Sequence, residues 1–480
     1  MERHANFIGG AWLPPQDGRY YQRENPAHPE QIIGEFPAST VADVDAAVAS
    51  AKSALASWSI TPGPKRGALL FRFAELLEQS KEKLARIITL EQGKPLGESL
   101  GEVGRAVVEA RYMGGEASRP FGHSYPSERL GVVCYTETEP LGVVAAICPW
   151  NFPVVTPVRK MAPALAYGNT VVLKPASLTP WSSIFLMRLI EEAGFPKGVA
   201  NLVIGTGAAI GDALVSDTRI AGISFTGSTS IGTRLYCMAA SRLAPVQLEL
   251  GGKNPAVVID YDDIQGAARE IVSAAFQCTG QRCTALSRVI VLESQASELI
   301  DNLVSEVERI KVGDGMSAET TMGPLVSMGQ LQSTEGFVTR AGKEGVSAIC
   351  GGKPLVDEPA REGYYYGATI FDGVSPESPL AQEEIFGPVL PVIRVRDEDE
   401  AILIANATRY GLAAALFSSR RNVISRFTAT IEAGMIHINH GTASQAHVPF
   451  GGRKDSGQGA FSIGPTAREF FTQVKTIYAK

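Results

Sequence analysis

An α/β fold with a parallel sheet at its centre is predicted by two features of this sequence. From Leu141 to Leu250 short apolar runs alternate with helical segments, and a second series of the same kind runs from about Gly251 to Glu432. Strands that are apolar on both faces need helices on both faces, and sheets of that kind bind nucleotides at the carboxyl ends of their strands. The length, 480 residues, exceeds what one hydrophobic core ordinarily serves and predicts two large domains. A cleft is expected where the two series meet, near residue 250.

Residues 1 to about 40 carry Gly9-Gly10, Pro14-Pro15, Pro26 and Pro29 between short apolar pieces, which suits an irregular arm. Thr40 is placed to cap a helix over Val41 to Trp58, and further helices are expected over Lys65 to Gln79 and Lys81 to Gln92, ending near Gly93 and Pro95. Phe121 to Thr138, with Val132, Cys134 and Thr136 alternating, reads as a projecting strand pair. The βαβ series then gives strands 141–147, 170–174, 199–204, 220–225 and 245–250, with helices 155–167, 180–193, 207–216 and 229–240 between them. Thr179-Pro180 opens one of these helices and Gly194 closes it. In the second series helices are expected near 263–276 and 296–309, a strand at 389–395 and a helix at 399–406. The terminal stretch Phe470 to Tyr478 alternates as a strand does and needs a partner edge. The resulting division assigns 1–120 and 139–250 to one domain and 251–432 to a second. Residues 121–138 and 455–480 form a small β element for contact between subunits, with 433–454 as a return segment.

Composition excludes several classes of function. With 20% charged residues and a net charge of -6, the chain lacks the basic surface that nucleic acid requires. No apolar run reaches membrane-spanning length, and the start Met1-Glu2-Arg3-His4 lacks a signal-peptide pattern, so a cytosolic location is expected. Six cysteines without a CxxC pair, and six histidines without metal spacing, predict reduced thiols and no metal.

Several positions can carry chemistry. Cys283, in Gly280-Gln281-Arg282-Cys283-Thr284-Ala285, follows an apolar helical run and a glycine that permits a sharp turn, so its thiol can be raised into a cleft; a buried structural cysteine is the alternative. Gly205-Thr206-Gly207-Ala208-Ala209-Ile210-Gly211 misses the dinucleotide fingerprint by one residue and reads as a packing turn. Phe225-Thr226-Gly227-Ser228 is the better phosphate site, with backbone N–H groups at a helix start. Lys174 ends a strand at the sheet's carboxyl edge, as a ligand contact or as a solvated loop lysine. Glu249 ends another, either as a proton acceptor or as a partner of Lys253. Asn151, stiffened by Pro149, Trp150 and Pro153, can aim its amide at a developing oxyanion or serve as a turn residue.

Taken in order, Pro149-Trp150-Asn151-Phe152-Pro153, Lys174-Pro175-Ala176-Ser177, Phe225-Thr226-Gly227-Ser228, Glu249-Leu250-Gly251-Gly252-Lys253, Gly280-Gln281-Arg282-Cys283, Glu383-Glu384-Ile385-Phe386-Gly387-Pro388-Val389 and Pro449-Phe450-Gly451-Gly452 resemble motifs of the NAD(P)-dependent aldehyde dehydrogenase superfamily. The resemblance spans nearly the whole chain. It implies a Rossmann-type cofactor domain, an α/β catalytic domain and a small β oligomerisation element, in a homodimer or homotetramer. It also implies roles: Cys283 attacks the aldehyde carbon, Asn151 and the Cys283 N–H hold the oxyanion, and Glu249 activates the water that hydrolyses the thioester. Trp150, Lys174, Ala176, Ser177, Gly227 and Ser228 would line the cofactor groove, with Leu250, Glu384 and Phe386 at the nicotinamide end. Glu249 speaks against the acylating branch, which hands its thioester to coenzyme A.

Many NAD-preferring members place a glutamate where this chain has Ser177, so NADP is expected to be accepted and somewhat favoured over NAD. Arg159 and Phe450 fall on the substrate side, and relatives acting on ω-acid aldehydes use an arginine at the Arg159 position. Gln277 stands where a second arginine occurs in succinate semialdehyde enzymes, which speaks against that substrate. Gly280-Gln281-Arg282-Cys283-Thr284-Ala285 and Asn439-His440-Gly441-Thr442 instead resemble dehydrogenases of longer or oxidised semialdehydes such as 2-oxoglutarate semialdehyde. Arg282 and Arg453 are expected in structural salt bridges, with assistance at the substrate carboxylate as the alternative, and a Cys278–Cys283 disulfide is a remote option. Dehydrogenation of neutral or aromatic aldehydes, a non-catalytic relative and a thiol esterase remain as competing readings.

Overall fold

The computed structural model describes residues 2–119, 122–355 and 362–480. Two large sheets dominate it. In the first, five parallel strands, Ala200–Leu202, Thr170–Lys174, Val143–Ile147, Ile220–Thr226 and Val246–Glu249, lie side by side in that order. The chain starts at the central strand, builds outward through two strands, then returns across the centre to build the other half. The reversal therefore lies between Val143–Ile147 and Ile220–Thr226, the crevice where this class of sheet binds ligands. All residues of Val143–Ile147 and Thr170–Lys174 are buried, as two-sided helix cover requires.

The second sheet has seven strands. Asn254–Val258 lies near its middle, between Leu286–Leu292 and Ala413–Phe417, with Val389–Val395 and Thr369–Phe371 beyond the former and Met435–Ile438 beyond the latter. Helices Ile264–Phe276 and Glu293–Glu308 pack on one face, and Glu398–Asn406 and Arg421–Thr430 on the other. A third sheet of three strands joins Ser124–Tyr125, Val133–Pro140 and the terminal Thr472–Ala479. Among the described residues no helix is long and apolar enough to cross a membrane.

The βαβ series is where expectation and structure agree best; the differences lie elsewhere. The first forty residues are not an irregular arm: Asn6–Ile8 pairs with Ala200–Leu202 and carries Ala11–Leu13 onto the first sheet, and Tyr20–Asn25 pairs with His28–Pro37. Gly9-Gly10 and Pro26 sit in the turns, while Pro29 lies inside the strand His28–Pro37. A long helix, Leu96–Glu116, follows Pro95 where none was expected, because Gly97, Gly101, Gly104, Gly114 and Gly115 depress its propensity. Its packing explains part of that composition: a Cβ on Gly114 would lie 3.3 Å from the Gly67 carbonyl and from the Phe71 ring of the neighbouring helix. Met435–Ile438, inside the expected return segment, is an edge strand of the seven-stranded sheet. Gly457–Gln458, assigned to the intersubunit element, pairs instead with Val246–Glu249. The terminal strand begins at Thr472, since Phe470 and Phe471 end a short helix. The projecting pair runs on past Thr138 to Pro140, and Phe121 lies outside the described residues.

Candidate active site

The loop carrying Cys283 is built from an uncommon backbone. Cys278, Thr279 and Gly280 have φ of 52°, 58° and 70° in succession, and a β-branched threonine rarely accepts that conformation. Glycine is required at 280, where a Cβ would lie 2.3 Å from the Gly387 carbonyl. Surrounding hydrogen bonds impose the turn. Glu98 accepts from the Cys278 N–H at 2.8 Å, Thr279 Oγ1 donates to the Gly323 carbonyl at 2.9 Å, and Gln281 Nε2 donates to the Cys278 carbonyl at 3.0 Å. Strain held by its surroundings in this way is characteristic of functional loops. Beyond the turn, Asn254 Nδ2 donates at 2.8 Å to both the Cys283 and Ala285 carbonyls, fixing the nucleophile's own backbone.

Two cavities converge on that loop. One, of about 220 Å³, opens at the sheet reversal and is lined by Trp150, Gly227, Ser228, Leu250, Glu384 and Phe386 among others. The second, about 430 Å³, is lined by Arg105, Phe152, Arg159, Glu249, Arg282, Ser444 and Phe450 among others. Asn151, Thr226 and Cys283 belong to both. A nucleotide and a small substrate entering by separate doors would therefore meet at the thiol.

Asn151 is buried and its Nδ2 donates to the Gln281 carbonyl at 2.9 Å, which holds the amide beside the cysteine loop. The amide's second N–H remains for an oxyanion. Its backbone is clamped by Lys94, whose fully buried ammonium donates to the Asn151 carbonyl at 2.6 Å and to Glu102 at 2.8 Å and lies 4.1 Å from the centre of the Phe152 ring. Glu102 in turn accepts from the N–H groups of Val154 and Val155. Burial opposes the charge on Lys94, but Cys278, Glu102 and Glu98 more than offset it, so its pKa lies above the usual lysine value.

Burial pushes the Cys283 thiol up to about 12; Glu249 and Glu384 act in the same direction, and Arg159 and Arg282 oppose them. At neutral pH the resting group is a thiol, and attack requires that its proton be removed. Glu249 is buried; Thr226 donates to its Oε2 at 3.2 Å while Oε1 has no partner. The alternative pairing with Lys253 is not found, since the Lys253 ammonium has no partner either.

The residues at the crevice fit a nicotinamide dinucleotide. Gly227 and Ser228 line the crevice and precede helix Thr229–Ala240, whose first turn carries N–H groups without partners inside the helix. Glu384 accepts from the Gly252 N–H at 3.0 Å, and burial raises its pKa to about 7. A Cβ on Gly251 would fall 2.1 Å from that carboxylate, so a larger residue there would displace the Glu384 side chain. Phe386, at φ 57°, meets Trp150 edge-on with ring centres 5.3 Å apart. Lys174 lies one strand over, buried, donating to the adjacent Pro175 carbonyl at 3.0 Å, and burial lowers its pKa to about 8. Ala176 and Ser177 follow it, half-buried. Glycine 205 belongs to a packing turn, covered by buried Ile210.

Three arginines differ from expectation. Arg159 lines the larger cavity, but its Nε and Nη2 are already held by Glu109 at 3.2 and 2.8 Å and its plane lies 4.6 Å from the centre of the Phe450 ring. Among the described residues Arg282 is in no salt bridge: it turns to Gln277 and Thr284, both neutral, and its Nε has no partner. Among the described residues Arg453 is in no salt bridge either; it lies exposed on a short strand and lines neither cavity. Cys278 is buried, with Gln92 Nε2 3.3 Å from its sulfur, and both it and Cys283 are free thiols. Lys94, Glu102, Gln281 and Asn254 were not singled out from sequence. A lysine set between the breakers Gly93 and Pro95 was the one available signal.

Sheet reversal, paired cavities and a cysteine at their junction define a nucleotide-dependent enzyme of the α/β class with a thiol at its centre. Residues 12–477 match the family described as "Aldehyde dehydrogenase family", and the chain belongs to it. It is 40% identical to the alpha-ketoglutaric semialdehyde dehydrogenase of Bacillus subtilis, over 99% of this chain and 98% of that one. It is likewise 40% identical to the 2,5-dioxopentanoate dehydrogenase of Saccharolobus solfataricus, over 96% of each. Among solved structures, betaine aldehyde dehydrogenase of Staphylococcus aureus in complex with NAD+ superposes with a TM-score of 0.97 at 32% identity, covering 99% of this chain and 95% of that chain. An NADP dependent enzyme of E. coli does so at 0.96 and 34%, covering 99% and 98%. The protein is thus an NAD(P)-dependent aldehyde dehydrogenase.

Proposed function

We propose that this enzyme oxidises a carboxylate-bearing semialdehyde, of the 2-oxoglutarate semialdehyde type, to the free acid by hydrolysis rather than by transfer to coenzyme A. The observation that carries the reading is the meeting of the two cavities at Cys283, with arginines on the wall of the larger one. Both semialdehyde dehydrogenases named above support the substrate class.

In this reading the Cys283 thiol gives up its proton and its sulfur bonds to the aldehyde carbon. Charge that develops on the former carbonyl oxygen is met by the Asn151 amide and the Cys283 N–H, fixed in advance by Lys94, Gln281 and Asn254. The aldehyde hydrogen then leaves that carbon with its electron pair, which turns the adduct into a thioester, and a bound nicotinamide dinucleotide would supply the hydride acceptor. Trp150, Gly227, Ser228, Leu250, Glu384 and Phe386 hold its nicotinamide and pyrophosphate portions, and Lys174, Ala176 and Ser177 its adenosine. Glu249 then takes a proton from water, whose oxygen attacks the thioester carbon and releases the acid and the thiol. The unpartnered Oε1 of Glu249 is the atom suited to that task. Ser177, in place of a carboxylate, lets the 2′-phosphate approach without repulsion, so NADP is accepted and somewhat favoured.

The same reading keeps the division into a cofactor-binding part, a catalytic part and an intersubunit β element. Val133, Val474 and Tyr478 of the three-stranded sheet are large, apolar and exposed, which favours its burial in a homodimer or homotetramer. The test is formation of NADPH and free acid from 2-oxoglutarate semialdehyde without coenzyme A. Turnover only when coenzyme A is added would overturn hydrolysis, and equal kcat/KM for pentanal would overturn the substrate class.

A further inference from the structure

The loop between strand Thr170–Lys174 and helix Trp181–Glu192 carries Lys174, Ala176 and Ser177, the residues assigned above to the cofactor's adenosine. Both of its ends are fixed. Lys174 belongs to the sheet ladder, and the fully buried Glu91 accepts from the Trp181 N–H at 2.8 Å and the Ser182 N–H at 3.0 Å, which sets the start of the helix. The middle is held from far along the chain. Tyr21 donates its hydroxyl to the Ser177 carbonyl at 3.0 Å and Arg23 Nε donates to the Leu178 carbonyl at 3.1 Å, across 156 and 155 positions. Residues two apart on a strand share a face, so Tyr20–Asn25 presents both donors to consecutive carbonyls.

The hairpin that carries them has its own footing. The Tyr364 N–H donates to the Pro26 carbonyl at 3.0 Å, and His28 Nε2 lies 3.2 Å from Asp314, so the turn rests on the second half of the chain and does not follow the loop. Arg23 is a destabilising choice if packing were its whole task. It is only 8% exposed, its nearest carboxylate is Glu24 at 3.5 Å, and its Nη2 has no partner. A buried donor left unsatisfied costs stability, and departures of that kind are expected where function requires a position to be kept.

Resting on the reading that this loop meets the adenosine, we propose that Arg23 and Tyr21 are positioning residues for cofactor binding, holding the Ser177–Leu178 backbone in the place from which Ser177 and Lys174 reach the nucleotide. A charged donor holds a carbonyl about twice as strongly as a neutral one, so Arg23 carries the larger share. Neither residue lines either cavity at Cys283. The Thr179 hydroxyl, which donates to the Trp150 carbonyl at 3.3 Å, still ties the loop to the crevice wall when either is changed. Their effect therefore falls on nucleotide affinity and leaves the reacting centre in place.

Calorimetric titration with adenosine 2′,5′-bisphosphate reads this end of the groove without turnover, for the wild type, Arg23→Met, Arg23→Lys, Tyr21→Phe and Ser177→Glu. The Kd should rise by about tenfold or more in Arg23→Met and about threefold in Tyr21→Phe, and Arg23→Lys should recover part of the loss. KM for NADP should rise in parallel while kcat at saturating NADP stays within about twofold. Wild-type Kd values in Arg23→Met and Tyr21→Phe, with Ser177→Glu weakened, overturn the positioning role and leave the adenosine assignment standing. A kcat that falls along with affinity, without recovery in Arg23→Lys, shows a general loss of structure and also overturns it. Should Arg23→Met fail to fold, Tyr21→Phe, which removes a single hydroxyl, decides. No binding by the wild type, or no effect of Ser177→Glu, overturns the adenosine reading, and the positioning role with it.

Discussion

The buried ammonium of Lys94 sits 2.6 Å from the Asn151 carbonyl and 2.8 Å from the Glu102 carboxylate, tying the amide at the reacting centre to the helix Leu96–Glu116. The ion pair is thus a positioning device as much as a structural one. Its other carboxylate oxygen collects the Val154 and Val155 N–H groups, so a single pair fixes both sides of the loop.

Replacing Lys94 by methionine leaves Glu102 buried and unpaired, which costs about 3–5 kcal/mol. It also frees the Asn151 carbonyl, and kcat should drop by about tenfold or more because the amide is no longer held in register. The double variant Lys94→Met/Glu102→Gln separates the two effects. Urea unfolding should show stability partly restored, while kcat stays low; recovery of kcat along with stability would show that Lys94 acts only on the fold.

Arg159 gives a contrasting case. Its removal breaks the forked contact with Glu109, but Arg105 still pairs with that carboxylate. Arg159→Met should therefore cost about 3 kcal/mol, the low end for a broken buried pair. Substrate discrimination should change little. A fall in the semialdehyde-to-pentanal ratio with normal urea unfolding would return Arg159 to direct substrate contact.

Much of the first sheet was legible because its strands are uniformly apolar and its helices capped. Thr170–Lys174 and Trp181–Glu192 lie within a residue of expectation. Asn254–Val258 and Ala413–Phe417 were missed for a physical reason: Pro255 interrupts one, and the other is largely alanine, which is neutral between strand and helix on pattern alone. At the site, motif positions such as Cys283, Glu249 and Phe386 could be named from sequence. Partners contributed from distant segments could not. Lys94 meets Asn151 57 positions away and Arg159 meets Glu109 50 positions away, so no local pattern reports either contact.

Cofactor choice is testable at Ser177. Its carbonyl accepts from the Tyr21 hydroxyl at 3.0 Å, which fixes the backbone and leaves the side chain as the variable part. Ser177→Glu places a negative charge where the 2′-phosphate of NADP would lie. At an effective dielectric of about 20, like charges about 4 Å apart repel by about 4 kcal/mol before screening. The NADP/NAD ratio of kcat/KM should fall at least tenfold, and an unchanged ratio would place the phosphate elsewhere.

The Cys283 thiol itself offers the last test, because its pKa is pushed up to about 12 by burial, Glu249 and Glu384. A raised thiol pKa means a scarce thiolate: about one part in ten thousand at pH 8, growing tenfold per unit. Alkylation of Cys283 by iodoacetamide, followed by mass spectrometry in the absence of nucleotide, should rise about tenfold per pH unit from 7 to 10 without levelling. Glu249→Gln removes a negative neighbour, which lowers the thiol pKa and speeds alkylation at any fixed pH in that window. Arg282→Met removes a cation that opposes the upward shift, so the same rate should slow. A plateau below pH 9 in the wild type would show that the resting cysteine is already ionised. Slower alkylation in Glu249→Gln would show instead that the carboxylate draws the thiol proton directly, giving Glu249 a part in the first step of the reaction as well as in hydrolysis.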